Sequence, residues 1–117
     1  MFKSFKDMPV WQTAFELSKE VFTLTSGLPR SEDYGLTSQI RRSSNSVSAN
    51  IAEGFGRNGP KDKRYFYVVS RGSAFETQHH LQYGREVGYF PDSKVNPLIT
   101  YYNHLIYDLN KIIKSLS

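Results

Sequence analysis

Residues 36–57 read LTSQIRRSSNSVSANIAEGFGR, and whether this stretch is a loop or a helix decides the fold. Ser43, Ser44, Asn45, Ser46, Ser48 and Asn50 are poor helix formers, because their short polar side chains compete for backbone hydrogen bonds. Local composition alone therefore suggests a loop. Two stripes argue the other way. Leu36, Ile40, Val47, Ile51 and Gly54 share one helical face. Gln39, Arg42, Ser46, Asn50, Glu53 and Arg57 share another, at spacings of three and four. A random polar loop has no reason to hold both. The spacing predicts a helix whose small residues allow tight packing.

Three amphipathic segments surround it. The first runs from about Met8 to Ser26, with Asp7 as the expected N-cap and Pro9 in the first turn. Val10, Trp11, Ala14, Leu17, Val21, Leu24 and Leu28 form its apolar stripe, and Gly27 and Pro29 close it. The third follows Gly59-Pro60 and leaves at Gly88 and Pro91. Tyr65, Phe66, Val68, Val69, Phe75, Leu81 and Val87 carry its pattern. Gly72 and Gly84 inside it each cost up to about 1 kcal/mol relative to Ala, which is tolerable where a neighbouring backbone approaches closely. In the last segment Leu98, Tyr102, Leu105, Leu109, Ile112 and Leu116 are widened by Ile99, Ile106 and Ile113 into a core-facing stripe. Its start is either Asn96-Pro97 or near Asp92. No alternating β pattern competes. The reading is all-α, an antiparallel up-down-up-down four-helix bundle forming one domain over residues 1–117.

Bulk composition narrows the function classes. A 38% hydrophobic chain with eight Tyr, eight Phe and one Trp has the material for a core and is not disordered. The absence of cysteine excludes disulfides, thiolate nucleophiles and cysteine metal sites, and suits a reducing cytoplasm. No apolar run approaches the roughly 20 residues that span a bilayer, and Met1–Asp7 lacks the apolar stretch of a signal peptide. The chain is read as cytosolic, with no membrane partner. The net charge of +4 is unevenly spread. Arg41, Arg42, Arg57, Lys61, Lys63, Arg64 and Arg71 stand against only Glu53 and Asp62 between positions 41 and 71. That window carries +5, so an anionic partner is expected there, the alternative being a solvated face with no partner.

Each constellation has a structural alternative. The polar stripe of the second helix can be a binding face. Glu53 and Arg57, however, stand four apart in the order that favours a helical ion pair, and Gln39 and Asn50 can satisfy buried groups. A packed polar seam, at a subunit interface above all, is the preferred reading. Arg57, Lys61, Lys63 and Arg64 flank the Gly56–Pro60 turn and gather at one end of the bundle. The last three lie in the first turns of a helix, where its dipole disfavours cations, so this cluster is the leading candidate for binding phosphates. Tyr65 and Tyr67 can stack on bases, but are expected only to flank core residues Phe66 and Val69. His79 and His80 point about 100° apart on a helix and cannot easily share a metal, so surface or interface roles are expected. His104 has no catalytic companion, no serine sits in a nucleophile-elbow context, and Gly54-Phe55-Gly56 follows no strand. No catalytic residue, metal or cofactor is expected.

Leu36–Arg42 together with Ser46–Arg57, including Asn50-Ile51-Ala52-Glu53-Gly54, resembles the signature of the four-helix bundle proteins also called the 23S rRNA intervening-sequence protein family. Val10-Trp11-Gln12, Leu28-Pro29, and Gly72-Ser73-Ala74 with Glu76 fit the same family. The resemblance implies a small bundle, often encoded inside insertions in bacterial ribosomal RNA genes, that assembles as a homopentamer. It also implies kinship with the accessory protein of diversity-generating retroelements, a basic pentamer working with a reverse transcriptase and nucleic acid. A non-catalytic homo-oligomer that binds RNA or DNA, RNA for preference, is therefore expected. Arg41, Arg42, Arg57, Lys61, Lys63, Arg64 and Arg71 are the expected contacts. Gln39, Ser46, Asn50, Glu53 and Glu76 are expected at the polar seam or interface. The alternative is a scaffolding module whose basic face meets an acidic protein.

Overall fold

The serine-rich stretch is a helix, and its hydroxyls show why. Ser43, Ser44 and Ser48 each donate to the carbonyl three residues earlier (Ile40, Arg41 and Asn45) at 3.2 Å, so they enter the core without needing outside partners. The computed structural model describes residues 1–117. Helices α1 (Pro9–Thr25), α2 (Leu36–Phe55), α3 (Pro60–Glu86) and α4 (Asp92–Ser115) are joined by short connections, with 3-10 turns at Phe5–Asp7 and Arg30–Glu32.

Side-chain contacts give the direction of each helix. Moving back along α2 and forward along α3, Lys63 reaches Gly54 and Phe55, Ser70 meets Val47, Ser73 meets Ser46 and Thr77 meets Ser43. Arg71 likewise meets Asn110, Gln78 meets Asn103 and Arg85 meets Asn96, so α3 and α4 run antiparallel. Arg41 near the start of α2 binds Thr25 at the end of α1. The backbones of α1 and α3 do not approach each other, and the two helices stand at opposite corners of the bundle. One cluster of 20 buried hydrophobic residues, drawn from all four helices, fills the centre. The molecule measures 43 × 24 × 21 Å.

Several expectations need correction. Asp7 does not cap α1. It closes the preceding turn, where its carboxylate accepts from the Ser4 amide at 3.2 Å and the Ser4 hydroxyl accepts from Lys6 at 3.1 Å. Leu28 lies beyond the end of α1 and is only partly buried. Helix α4 begins at Asp92 with Pro97 inside it; the carbonyl that Pro97 leaves without a donor belongs to exposed Ser93. The largest difference concerns α3. Its buried face is Tyr67, Ser70, Ala74, Thr77, His80, Leu81 and Gly84, while Tyr65, Phe75 and Val87 are exposed. Phe66 and Val69, expected as core, are only partly buried, and it is Tyr67 that enters the core. The reason is helix–helix distance. At the α2–α3 contact a Cβ on Gly54 would come within 2.9 Å of the Tyr67 ring; separately, one on Gly84 would overlap the edge of the Phe90 ring, which packs there from the α3–α4 turn. Helices this close leave room for small residues, so the bulky aromatics turn outward. Gly72 meets no such neighbour and sits on the open side of α3.

Tyr102 is fully buried and its hydroxyl has no protein partner. Burial, with the nearby Glu20 charge, pushes its pKa well up from 10.0, and burial also raises that of Tyr67. Below pH 10 both phenols are protonated whether folded or unfolded, and their full contribution is present. Above it the unfolded chain releases protons that the native chain keeps, so stability falls, by about 1.4 kcal/mol per pH unit for Tyr102. Tyr102→Phe removes both the unpaired hydroxyl and this titration. Urea denaturation of that variant is expected to show a gain of about 1–2 kcal/mol at neutral pH and a shallower alkaline decline.

Candidate nucleic-acid interface

The polar stripe of α2 divides in two. Ser46 Oγ lies 2.9 Å from Ser73 Oγ, and Asn50 Nδ2 donates to the Ser46 carbonyl and hydroxyl at 2.9 and 2.8 Å. With Ser43–Thr77 at 2.8 Å and Ser70 donating to the Val47 carbonyl at 2.7 Å, these groups form a hydrogen-bonded seam between α2 and α3 of one chain. Gln39, Arg42 and Glu76 edge an open polar hollow above that seam. Glu76 faces Nε2 of His80 at 3.2 Å. His80 is buried, not a surface histidine, whereas His79 is exposed. Glu53 pairs with Arg57 at 3.0 Å on the exposed surface.

The seven basic residues do not form a single patch. Arg41 serves the end of α1: its guanidinium donates to Thr25 Oγ1 at 2.8 Å and the Phe22 carbonyl at 3.2 Å, and covers the Phe22 ring at 3.9 Å. Arg71 donates to Asn110 at 2.7 Å. Arg42 is exposed and has no bonded partner, but sits with the polar hollow midway along the bundle. Arg57, Lys61, Lys63 and Arg64 do meet at the α2–α3 turn. Arg57 is held by Glu53 and, at 3.8 Å, Asp62, and lies over the Phe66 ring. Lys63 has a structural role that its sequence position hid. Its Nζ donates to the Gly54 and Phe55 carbonyls at 3.2 and 2.8 Å, capping the end of α2, where that helix dipole favours a cation. Chemical denaturation of Lys63→Met, which keeps much of the side-chain length, is expected to show a loss of about 1–2 kcal/mol.

The antiparallel arrangement brings further cations to this end. Arg64 Nε reaches Ser117 Oγ at 3.3 Å, which brings Lys114 in the last turn of α4 to this end. Gln12 Nε2 donates to the Lys6 carbonyl at 2.8 Å, fixing Lys6 at the start of α1, with Lys3 just before it. This end therefore holds Lys3, Lys6 and Lys114 besides the turn cluster, against Asp7, Glu53 and Asp62, a local excess of four positive charges. The opposite end, with Arg30, Arg85 and Lys94 against Glu32, Asp33, Glu86 and Asp92, is slightly acidic. Lys3, Lys6, Lys61 and Lys114 make no ion pair or side-chain hydrogen bond and are free to meet an anion. Sequence windows missed the contributions from the two termini because 40 residues or more separate them from the turn. An up-down-up-down topology, read strictly, already contains them.

No group of three or more His, Asp or Glu side chains stands close enough to hold a metal ion. No helix is long and apolar enough to cross a membrane.

Comparisons with known proteins agree with this architecture. The chain aligns over 90% of its length, at TM-score 0.81 and 19% identity, with 98% of a crystallised protein of unknown function from Bacteroides thetaiotaomicron, described as from the S23 ribosomal protein family. At that identity the likeness concerns the fold alone. No curated protein gives a significant match. The family model described as 23S rRNA-intervening sequence protein matches residues 6–111, nearly the whole bundle. The chain therefore belongs to the 23S rRNA-intervening sequence protein family.

Proposed function

We propose that this protein is a non-catalytic bundle that works as an assembly of its own copies and holds RNA by its phosphates at one end. The observation that carries the reading is the charge segregation. Three separate parts of the chain bring cations to one end, and four of them have no protein partner. Stability does not ask for this, since Lys61 lies in the first turn of α3, where the dipole repels it. RNA is preferred to DNA because the family's description names a ribosomal RNA, and the cytoplasm is the compartment that fits. Five copies is the number implied by the resemblance, and an assembly multiplies the basic end. The hydrogen-bonded α2–α3 seam holds the bundle together, leaving the end surface to recognise the partner.

Phosphate binding of this kind depends steeply on salt. If one end engages about four phosphates of a single strand, affinity falls with a log–log slope of about −3, or about 60-fold between 50 and 200 mM salt. Fluorescence anisotropy with a short labelled single-stranded RNA measures this directly. No binding at low salt contradicts the proposal, and capture of a defined acidic protein that survives nuclease treatment points to the scaffolding alternative.

A further inference from the structure

Helix α3 carries its aromatics outward. Tyr65, Phe75 and Tyr83 are 61%, 54% and 49% exposed. With Val68 and His79 they recur mostly at intervals of three and four, on the side opposite Tyr67, Ala74 and Leu81. A second run lies on α1, where Trp11, Phe15 and Phe22 follow one another at four and seven residues. Trp11 and Phe15 stack at 4.7 Å, and Phe22, 57% exposed, lies beneath Arg41. Because the backbones of α1 and α3 lie diagonally apart, the two runs stand on opposite corners of the bundle. Aromatic side chains with arginine are what interface centres collect.

We propose that the two runs are the halves of one contact between copies, the α1 side of one chain lying against the α3 side of the next. This rests on the assembly part of the function proposed above and names its surfaces. Three observations favour a second copy as the occupant. Both halves belong to the same chain. Their flanks are complementary in charge, with Lys19 and Arg41 over rings of the first run and Glu76 and Glu86 beside the second. Five rings that are 39–61% exposed, with the partly buried Trp11 beside them, offer about 500 Å² before their neighbours are counted, towards the about 1,200 Å² of a stable interface.

Since the halves differ, the contact is head-to-tail, and each copy keeps one free half of each kind until a ring closes. Copies joined by their sides keep both ends open. Closure about an axis along the bundle sets every basic end on the same rim.

Native mass spectrometry of two double variants tests this. Phe15→Glu with Phe22→Glu breaks the α1 half, and Phe75→Glu with Tyr83→Glu breaks the α3 half. Wild type is expected at a multiple of 13.5 kDa and each variant at a single chain. An equimolar mixture is expected to form pairs containing one of each, because one intact half of each kind remains. A variant that keeps the wild-type mass, or a mixture that stays single, overturns the assignment. So does an α1 variant that keeps its mass and loses RNA affinity, which would make that run an RNA surface. If the glutamates reduce the helical circular dichroism, Phe22→Ser and Phe75→Ser provide the same comparison. A single-chain wild type defeats the assembly reading as well, whereas assembled variants defeat only these surfaces.

Discussion

Gly84→Ala lowers the stability of the bundle by about 3 kcal/mol, the top of the range for overpacking a filled site. Elsewhere in an exposed helix the same change gains up to about 1 kcal/mol of propensity. Here the added Cβ would overlap the edge of the Phe90 ring. That ring has little freedom to withdraw: Phe90 is buried, and the amides of Tyr89 and Phe90 both donate to the Gly84 carbonyl, at 2.8 and 3.1 Å. Gly88 then turns the chain with φ at 89°, a conformation that favours glycine. Moving Phe90 therefore means reopening the whole α3–α4 turn. Urea denaturation followed by circular dichroism should show the midpoint falling with little change in slope. A midpoint at or above wild type would mean that this turn gives way easily.

The second large effect concerns binding. Reversing Lys61, Arg64 and Lys114 to glutamate together is expected to weaken single-stranded RNA binding at low salt by at least about 100-fold, because every phosphate left unneutralised also keeps its condensed counterions. Reversing Arg30 and Lys94 at the other end is expected to change it only a few-fold. The two ends are separated along a 43 Å axis, about four screening lengths at 0.1 M salt. Anisotropy titrations of both variants, with equal helical circular dichroism as the control for folding, separate end-specific binding from a response to net charge. Equal weakening in the two would leave only the net charge as the cause.

The four helices were legible because their stripes are long and periodic. Even the serine-rich α2 kept its apolar face at Ile40, Val47 and Ile51. What misled was the rule that bulky apolar residues mark the core. In α3 they mark the outside, since α2 approaches too closely at Gly54 to admit more than small residues and one flat ring, Tyr67. Periodicity shows that a helix has two faces. It cannot say which one a close neighbour will accept. The candidate site was half legible. Lys61 and Arg64 lie where the turn put them, but Lys63 is engaged with backbone carbonyls that no sequence window links to it. Arg41 and Arg71 are likewise engaged within the fold. Lys3, Lys6 and Lys114 join the end only through topology.

An assembly that takes up RNA through one basic end changes mass with both RNA and salt. Light scattering coupled to size exclusion, at low and high salt, with and without a short single-stranded RNA, tests it most directly. A mass several times 13.5 kDa is expected, rising with RNA at low salt and returning to its protein-only value at high salt. A single-chain mass that RNA leaves unchanged at either salt would contradict it.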